Sequence, residues 1–423
     1  MRKKGYNVRM KKILILGANP ETAVLVKMAQ KMGIYAIVTD NIPGSYAKKI
    51  ADKSWDIDGM DVKGIVNEAR HEQVDGVMVG TADPLIMPYY KICSQLGLPC
   101  YGNEKSVTVL TNKAKFKAEC SKFGIAGVPE YTLEQCKNGT VFFPVLVKPS
   151  DGRSGKGMTL CYSKDELPDA IEKAKEFSNC KKFLIEHYMQ CDDVFMYYTF
   201  VNGKCFLSAM ADRYTSKDQV GADPVVLGGI YPSKYLMLYM ETLHEKMCEM
   251  FSDLGIDNGI LLIQAFVEDG KFYVYDPGFR LQGGAPHLLV DAINHFDHRR
   301  MLINFALTGD MGEKDIAERN DVLFRGKIGA SQTVLLKCGK IARIEGIKEI
   351  SNDVRVVATT QRLFEGDEVY LRGTEQQILV RFHMVCKDKN ELRELVKKIN
   401  KTVHAFDNEN NDMCLQGLRA ECV

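Results

Sequence analysis

Val145-Leu146-Val147-Lys148-Pro149-Ser150-Asp151-Gly152-Arg153-Ser154-Gly155-Lys156-Gly157-Met158 is the most informative stretch of this 423-residue chain. An apolar run that reads as a strand delivers a lysine. A loop with three glycines and two further cations then leads into what reads as a second strand. Backbone amides freed by glycine can surround phosphate oxygens, while Lys148 presents a point charge from a rigid strand. The loop is not a Walker A motif, because Gly155-Lys156 is followed by Gly157 rather than Ser or Thr and no helix is expected after it. The same residues would also make an ordinary surface hairpin. Cations set beside glycine favour a phosphate site.

Working outward, the length suggests two to four domains at about 150 residues each. A hydrophobic fraction of 45% and a charged fraction of 26% are those of an ordinary globular protein and exclude collagen-like and disordered classes. Fifty-six Lys and Arg against 55 Asp and Glu leave a net charge of +1, so no global field draws the chain to nucleic acid or an anionic membrane. Thirteen cysteines without a Cys-x-x-Cys pair or a His at zinc spacing read as reduced thiols, which predicts a cytoplasmic protein. Apolar runs such as Gly259 to Val267 are too short to span a bilayer. Residues 1–12 carry six Lys or Arg and read as a solvated leader, with Met10 as an alternative start.

The first hundred residues alternate short apolar runs (Lys12 to Gly17, Tyr35 to Asp40, Val74 to Gly80) with amphipathic stretches (Pro20 to Met32, Asp61 to Glu72, Pro84 to Leu96). That alternation predicts a parallel sheet with crossover helices. Asp40 lies where the ribose-binding acid of a dinucleotide fold would be, about twenty residues past the first turn. Gly17-Ala18-Asn19-Pro20-Glu21-Thr22 nevertheless has one glycine where that fingerprint needs three. Asn112 to Phe123 reads as a helix capped by Thr111 or Asn112, and Lys234 to Leu254 as one long helix. Between them the pattern turns strand-rich, and two strands, Gly259 to Val267 and Phe272 to Asp276, follow. Beyond about residue 311 comes a mixed unit with a strand at Leu379 to Cys386 and a helix at Lys389 to Asn400.

Taken together, these stretches resemble the ATP-grasp ligases, the superfamily of D-alanine ligases, biotin carboxylases and amino-acid ligases, over roughly residues 12 to 310. In that family ATP lies between two β-rich lobes. One lysine on the helix before the lid and another on a lid strand touch its phosphates, and a glycine-rich hairpin closes over them. The resemblance assigns these places to Lys113, Lys148 and the hairpin with Gly152, Ser154, Gly155 and Gly157. Phe183-Leu184-Ile185-Glu186-His187-Tyr188-Met189-Gln190-Cys191-Asp192-Asp193 is similar to the interlobe hinge. It implies that Glu186, His187, Tyr188 and Met189 border adenine and that Asp193, shorter than the usual Glu, meets the ribose.

The resemblance further implies that magnesium is held by Asp276 and by Gln264, where an acid is the family's usual residue. Asn is usual at the position of Gly278. Arg280 corresponds to the arginine that stabilises the reaction's oxyanion, and Lys148 is counted with it as catalytic. Asp83, Arg213 and His287 are substrate candidates, Arg213 because its fork suits a carboxylate. The last hundred residues are loosely similar to the C-terminal domain of L-amino-acid ligases, or else form a packing or dimerisation module.

The expected fold class is α/β: an N-terminal parallel α/β domain over 1–103, a two-lobed α+β ATP-grasp domain over 104–310 with its lid at about 126–184, and a small C-terminal mixed β/α domain over 311–423. The expected activity is an ATP- and magnesium-dependent carboxylate ligase whose acyl phosphate is captured by an amine. Its partners are then small molecules, with no nucleic acid or membrane, and a homodimer is compatible with it. Activation of bicarbonate and nucleotide binding without catalysis are the alternatives.

Overall fold

The computed structural model describes residues 9–150, 157–216, 225–370, 375–415 and 417–423. Gly152, Ser154 and Gly155 of the glycine-rich hairpin lie outside the described residues.

Residues 12–79 supply a four-stranded parallel sheet of β1 (Lys12–Leu16), β2 (Tyr35–Thr39), β3 (Lys53–Trp55) and β4 (Gly76–Val79), in the order β3-β2-β1-β4. Ile13 to Leu16 and Val77 to Val79 are buried on both faces, which is why these strands read as unbroken apolar runs. The chain leaves β1 towards one side and reaches β4 on the other. The crevice beyond their carboxyl ends is therefore a topological switch point. Asn19 Nδ2 donates to Thr81 Oγ1 across it at 2.6 Å. Asp40 accepts the Ala18 and Ile42 amides of its own loops, so its carboxylate closes a turn.

A second sheet, antiparallel, contains β5 (Glu130–Tyr131), β6 (Val145–Pro149), β7 (Thr159–Cys161) and β8 (Phe183–His187), in the order β5-β8-β6-β7. Val145 and Val147 face its own small core with Cys161, Ile171 and Ile185, and the helix Leu167–Glu176 covers that face. Strand alternation then places Lys148 on the opposite face. The helix Lys113–Lys122 precedes this sheet, and its cap is Asn112, whose side chain accepts the Lys115 amide.

The largest sheet is wholly antiparallel and has eight strands. It uses β9 (Asp192–Val201), β10 (Lys204–Thr215), β11 (Val226–Tyr231), β12 (Gly259–Glu268), β13 (Lys271–Gly278), β14 (Ile328–Leu335), β17 (Val356–Gln361) and β19 (Ile378–Cys386). The order is β13-β12-β9-β10-β11-β14-β19-β17. Short strands β15 (Gly339–Lys340) and β18 (Glu368–Val369), and β16 (Arg343–Glu345) and β20 (His404–Phe406), pair separately. The helix Lys389–Thr402 packs Leu392, Leu395, Val396 and Ile399 into the core over β14 and β19.

Two local differences from the sequence expectation have physical causes. The expected single helix over Lys234 to Leu254 is two, Leu236–Thr242 and His244–Asp253, with Leu243 at φ −133° between them. Thr242 Oγ1 donates back to Leu238 O at 2.7 Å, a contact that loosens a helix. On β13 the register shifts after Gln264, so Tyr275 is an extra residue and the strand is bulged. No described helix is long and apolar enough to cross a membrane.

The β11–β14 pairing depends on Gly228, where a Cβ would lie 2.1 Å from Ser331 O. Gly228→Ala must force these strands apart and should cost roughly 1–3 kcal/mol. Urea unfolding checks this; an unchanged midpoint would mean that the strands do not approach so closely.

Candidate active site

Pleating puts Lys148 and Glu186 on one face of the second sheet, since Leu146 pairs with Glu186 and Lys148 with Leu184. The two meet diagonally, Nζ to Oε2 at 2.6 Å. Glu186 and Met189 are buried and His187 and Tyr188 half-buried, and His187 Nε2 lies 3.5 Å from Glu268 Oε2 of β12. The hinge thus joins the second sheet to the largest one.

Asp276 is directly opposite Gln264 on adjacent strands, with Gln264 Nε2 3.4 Å from Asp276 Oδ2. The bulge turns Tyr275 towards the same glutamine, its hydroxyl 2.8 Å from Gln264 Oε1. From the helix start, Lys113 reaches Asp276 Oδ1 at 3.1 Å. Both members of this pair are partly open to solvent, where such a pair contributes about 0–1 kcal/mol. A multiply charged ligand can therefore displace it at little cost. The Asp276 carboxylate suits a hard dication, whereas Gln264 turns its amide nitrogen towards Asp276 and its oxygen towards Tyr275, so the amide must rotate to offer a second oxygen.

Gly278 has a clear structural consequence. A Cβ there would lie 2.4 Å from Gln282 Nε2, so the amide of Gln282 fills the space beside it. That amide donates to Gly278 O at 2.9 Å and accepts from Arg280 Nη1 at 3.0 Å. Arg280 is buried and also pairs with Asp83 at the carboxyl end of the parallel sheet, while its Nε has no hydrogen-bond partner among the described residues. Two of the sequence candidates are thus brought together, Asp83 and Arg280.

Arg213 sits elsewhere, on β10, paired with Asp193 of β9, and its Nη1 lies 3.1 Å from the Tyr275 hydroxyl. Burial pushes the Asp193 carboxyl above the usual carboxylate range, with Arg213 and Tyr275 opposing it. His287 lines a small pocket of about 30 Å³ with Glu21, Thr81, Gln282, Arg299 and Thr360. Burial holds its imidazole well below the ordinary histidine range, and its Nδ1 has no partner among the described residues.

Sequence reasoning missed Tyr275, Glu21, Arg381 and His383. Arg381 Nη1 donates to Gly283 O at 2.6 Å, and His383 Nε2 lies 3.0 Å from Gly284 O, so β19 holds the turn that follows Arg280. The available signal was two polar residues at i and i+2 inside an apolar strand. Glu21, buried, lies 3.4 Å from Arg362 Nη1 and ties the first loop to the last part of the chain. The described residues also hold one cluster with metal-ligand spacing, Glu68, His71 and Glu72. It lies on the helix Val62–Glu72, and Lys12 and Lys53 already pair with Glu72.

The three larger sheets, with Lys148 on a strand of the second and Lys113 on the helix before it, make an ATP-grasp-type fold. Residues 122–203 match the family described as D-ala D-ala ligase C-terminus. The L-amino acid ligase from Bacillus licheniformis superposes with a TM-score of 0.77 at 16% identity, over 94% of this chain and 99% of that one. The formate-dependent phosphoribosylglycinamide formyltransferase of Prochlorococcus marinus (strain MIT 9515) is 27% identical over 190 residues, 43% of this chain and 48% of that protein. This chain therefore spans about half the length of the curated relatives it matches first. The enzyme of the same description from Bacteroides thetaiotaomicron is 22% identical over 94% of this chain and 100% of that protein.

His383 supplies a pH test of the turn. Burial first, with Arg381 adding to it, holds its imidazole down at about 4 against an ordinary 6.5. Between these values the unfolded chain binds more protons, so stability rises with pH through that window and is lost as pH falls. The slope is at most about 1.4 kcal/mol per pH unit. His383→Gln should flatten the dependence of the urea midpoint between pH 6.5 and 4.5. A variant curve parallel to the parent's would show that the imidazole is not buried uncharged.

Proposed function

We propose that this protein is an ATP-dependent carboxylate ligase that forms an acyl phosphate and transfers the acyl group to an amine. The observation that carries the reading is the pair of lysines, Lys113 and Lys148, each held by a carboxylate of the strands it faces, Asp276 and Glu186. The carboxylate oxygens stand where phosphate oxygens would replace them. Residues around Glu186 to Met189 and Asp193 would border the nucleoside. Gly157, with the rest of its hairpin, would cover the phosphates.

Asp276 and the Gln264 carbonyl would hold magnesium, which when bound neutralises phosphate charge. A substrate carboxylate oxygen attacks the γ-phosphorus, the bond to the β,γ-bridging oxygen breaks, and ADP leaves. The amine nitrogen then attacks the acyl carbon and phosphate departs. Arg280 would stabilise the oxyanion of that adduct. The amine must lose a proton, which the departing phosphate can carry away. Positioning and charge neutralisation supply most of the rate in such a site.

Incubation with ATP, magnesium and a matrix of carboxylates and amines should release ADP and phosphate together with an amide detected by mass. Stoichiometric AMP and pyrophosphate would overturn the reading. ADP release that depends on bicarbonate alone would redirect it to carboxyphosphate chemistry.

The strand pair gives a separate expectation. Asp276→Asn should abolish turnover, whereas Gln264→Glu, which adds a charge to the oxygen already present, should leave it intact and lower the magnesium concentration for half-maximal rate. If Asp276→Asn is as active as the parent, the metal is held elsewhere.

A further inference from the structure

Far along the largest sheet from Asp193 and Arg213, one cluster has no part in the proposed reaction. Cys205 lies on β10 just after the turn from β9, and Cys248 lies on the helix His244–Asp253. Their Sγ atoms are 3.4 Å apart. His244 sits one helical turn before Cys248, its Nε2 3.7 Å and Nδ1 3.9 Å from that sulfur. The imidazole is itself fixed: Nδ1 is 3.3 Å from the Tyr198 hydroxyl, which is 2.5 Å from the Tyr239 hydroxyl. Tyr198 and His244 rings also lie parallel, with an interplanar angle of 3°. Both cysteines are half-buried, so small reagents reach them while the pair stays packed.

We propose that Cys248 and Cys205 form a modification site for hydroperoxides, with Cys248 as the attacking thiol and Cys205 as its resolving partner. The assignment of roles follows the surroundings. The Cys205 thiol beside it, and after it His244, bring the Cys248 thiol down to about 5 against burial and the Glu245 charge. The Cys205 thiol is pushed up. His244, which touches Cys248, favours its thiolate, the form that reacts.

The chemistry balances with hydrogen peroxide as the oxidant. The Cys248 thiolate attacks one peroxide oxygen, the O–O bond breaks, and hydroxide leaves and is protonated to water, giving a sulfenic acid on Cys248. Cys205 loses its proton and its sulfur attacks the sulfenic sulfur, expelling the second oxygen as water. Two thiols and one peroxide become one disulfide and two waters, and the sulfurs supply both electrons. The sulfurs begin close enough that side-chain rotation, rather than a rearrangement of sheet or helix, is the motion required. A thiol reductant reverses the product through a mixed disulfide.

The test uses the full, reduced protein. Treatment with hydrogen peroxide, blocking of remaining thiols and peptide mapping should give a Cys205–Cys248 cross-linked peptide that dithiothreitol removes. In Cys205→Ser the reaction should stop one step earlier, and dimedone should label residue 248. Alkylation of the untreated parent at pH 6 should be at least tenfold faster at Cys248 than at the exposed Cys338. Cys205 and Cys248 recovered separately alkylated after oxidation that consumes Cys338 would overturn the proposal. So would equal alkylation rates at Cys248 and Cys338, a measurement that needs no variant.

Discussion

The main-chain ladder between β11 and β14 joins strands from residues 192–278 and 328–386 into one sheet, and the site is built on that continuity. Because β14 pairs with β19, Arg381 and His383 arrive over the turn at Gly283 and Gly284 with their backbone already fixed. That turn follows Arg280 directly, and Arg280 in turn reaches Asp83 at the crevice of the parallel sheet. Main-chain pairing thus transmits position from the C-terminal strands to the loops of the N-terminal sheet. Side-chain hydrogen bonds complete the last step. Each buried polar group in this chain is costly to leave unpaired, which restricts the turn to a narrow set of geometries.

Charge is arranged by the same logic. Lys113, Lys148 and Arg280 each face a carboxylate from a different part of the fold, Asp276, Glu186 and Asp83. Lys113 meets Asp276 on partly open ground, so that pair is weak and exchangeable, whereas Lys148 meets the buried Glu186. Arg213 and Asp193 are about as closed off from water as Lys148 and Glu186, and they share Tyr275 as well. Taking those two apart would strand a buried charge, a cost of several kcal/mol on the scale of such pairs. The cluster of Asp193, Arg213 and Tyr275 therefore behaves as a fixed wall beside Gln264, while the more open Lys113–Asp276 pair can exchange when a polyanion enters.

Much of the architecture was legible because it depends on short-range pattern. Unbroken apolar runs at Ile13 to Leu16 and Val77 to Val79 identify strands covered on both sides, and Asn112 is a cap readable from its place before Lys113. Alternation in Val145-Leu146-Val147-Lys148 already sets the lysine against the core face. The unread features are those that short-range pattern does not encode. An inserted residue at Tyr275 changes which side chains share a face, and nothing in Phe272 to Asp276 signals the shift. Arg213 suits a carboxylate, but that its carboxylate is Asp193 depends on the register of β9 with β10. The break at Leu243 needs the Thr242 back-bond, and the reach of Arg381 and His383 needs a strand pairing across more than a hundred residues of sequence from Arg280.

Gly278 and Gln282 occupy one space between them. A side chain at 278 would collide with the Gln282 amide, and that amide is anchored at both ends, by the Gly278 carbonyl and the Arg280 guanidinium. An amide group therefore stands beside Arg280, in the space that a side chain at Gly278 would occupy. Gln264 removes a charge without removing an oxygen, and Tyr275 orients what is left by its contact at 2.8 Å. Of the facing residues Gln264 and Asp276, only Asp276 brings a formal negative charge, and Lys113 already faces it. A free dication approaching such a site meets little net attraction, whereas one that arrives with phosphates supplies the missing negative charge itself and gives Lys113 a new partner. The polar geometry of this strand pair thus favours a ligand in which cation and polyanion enter together.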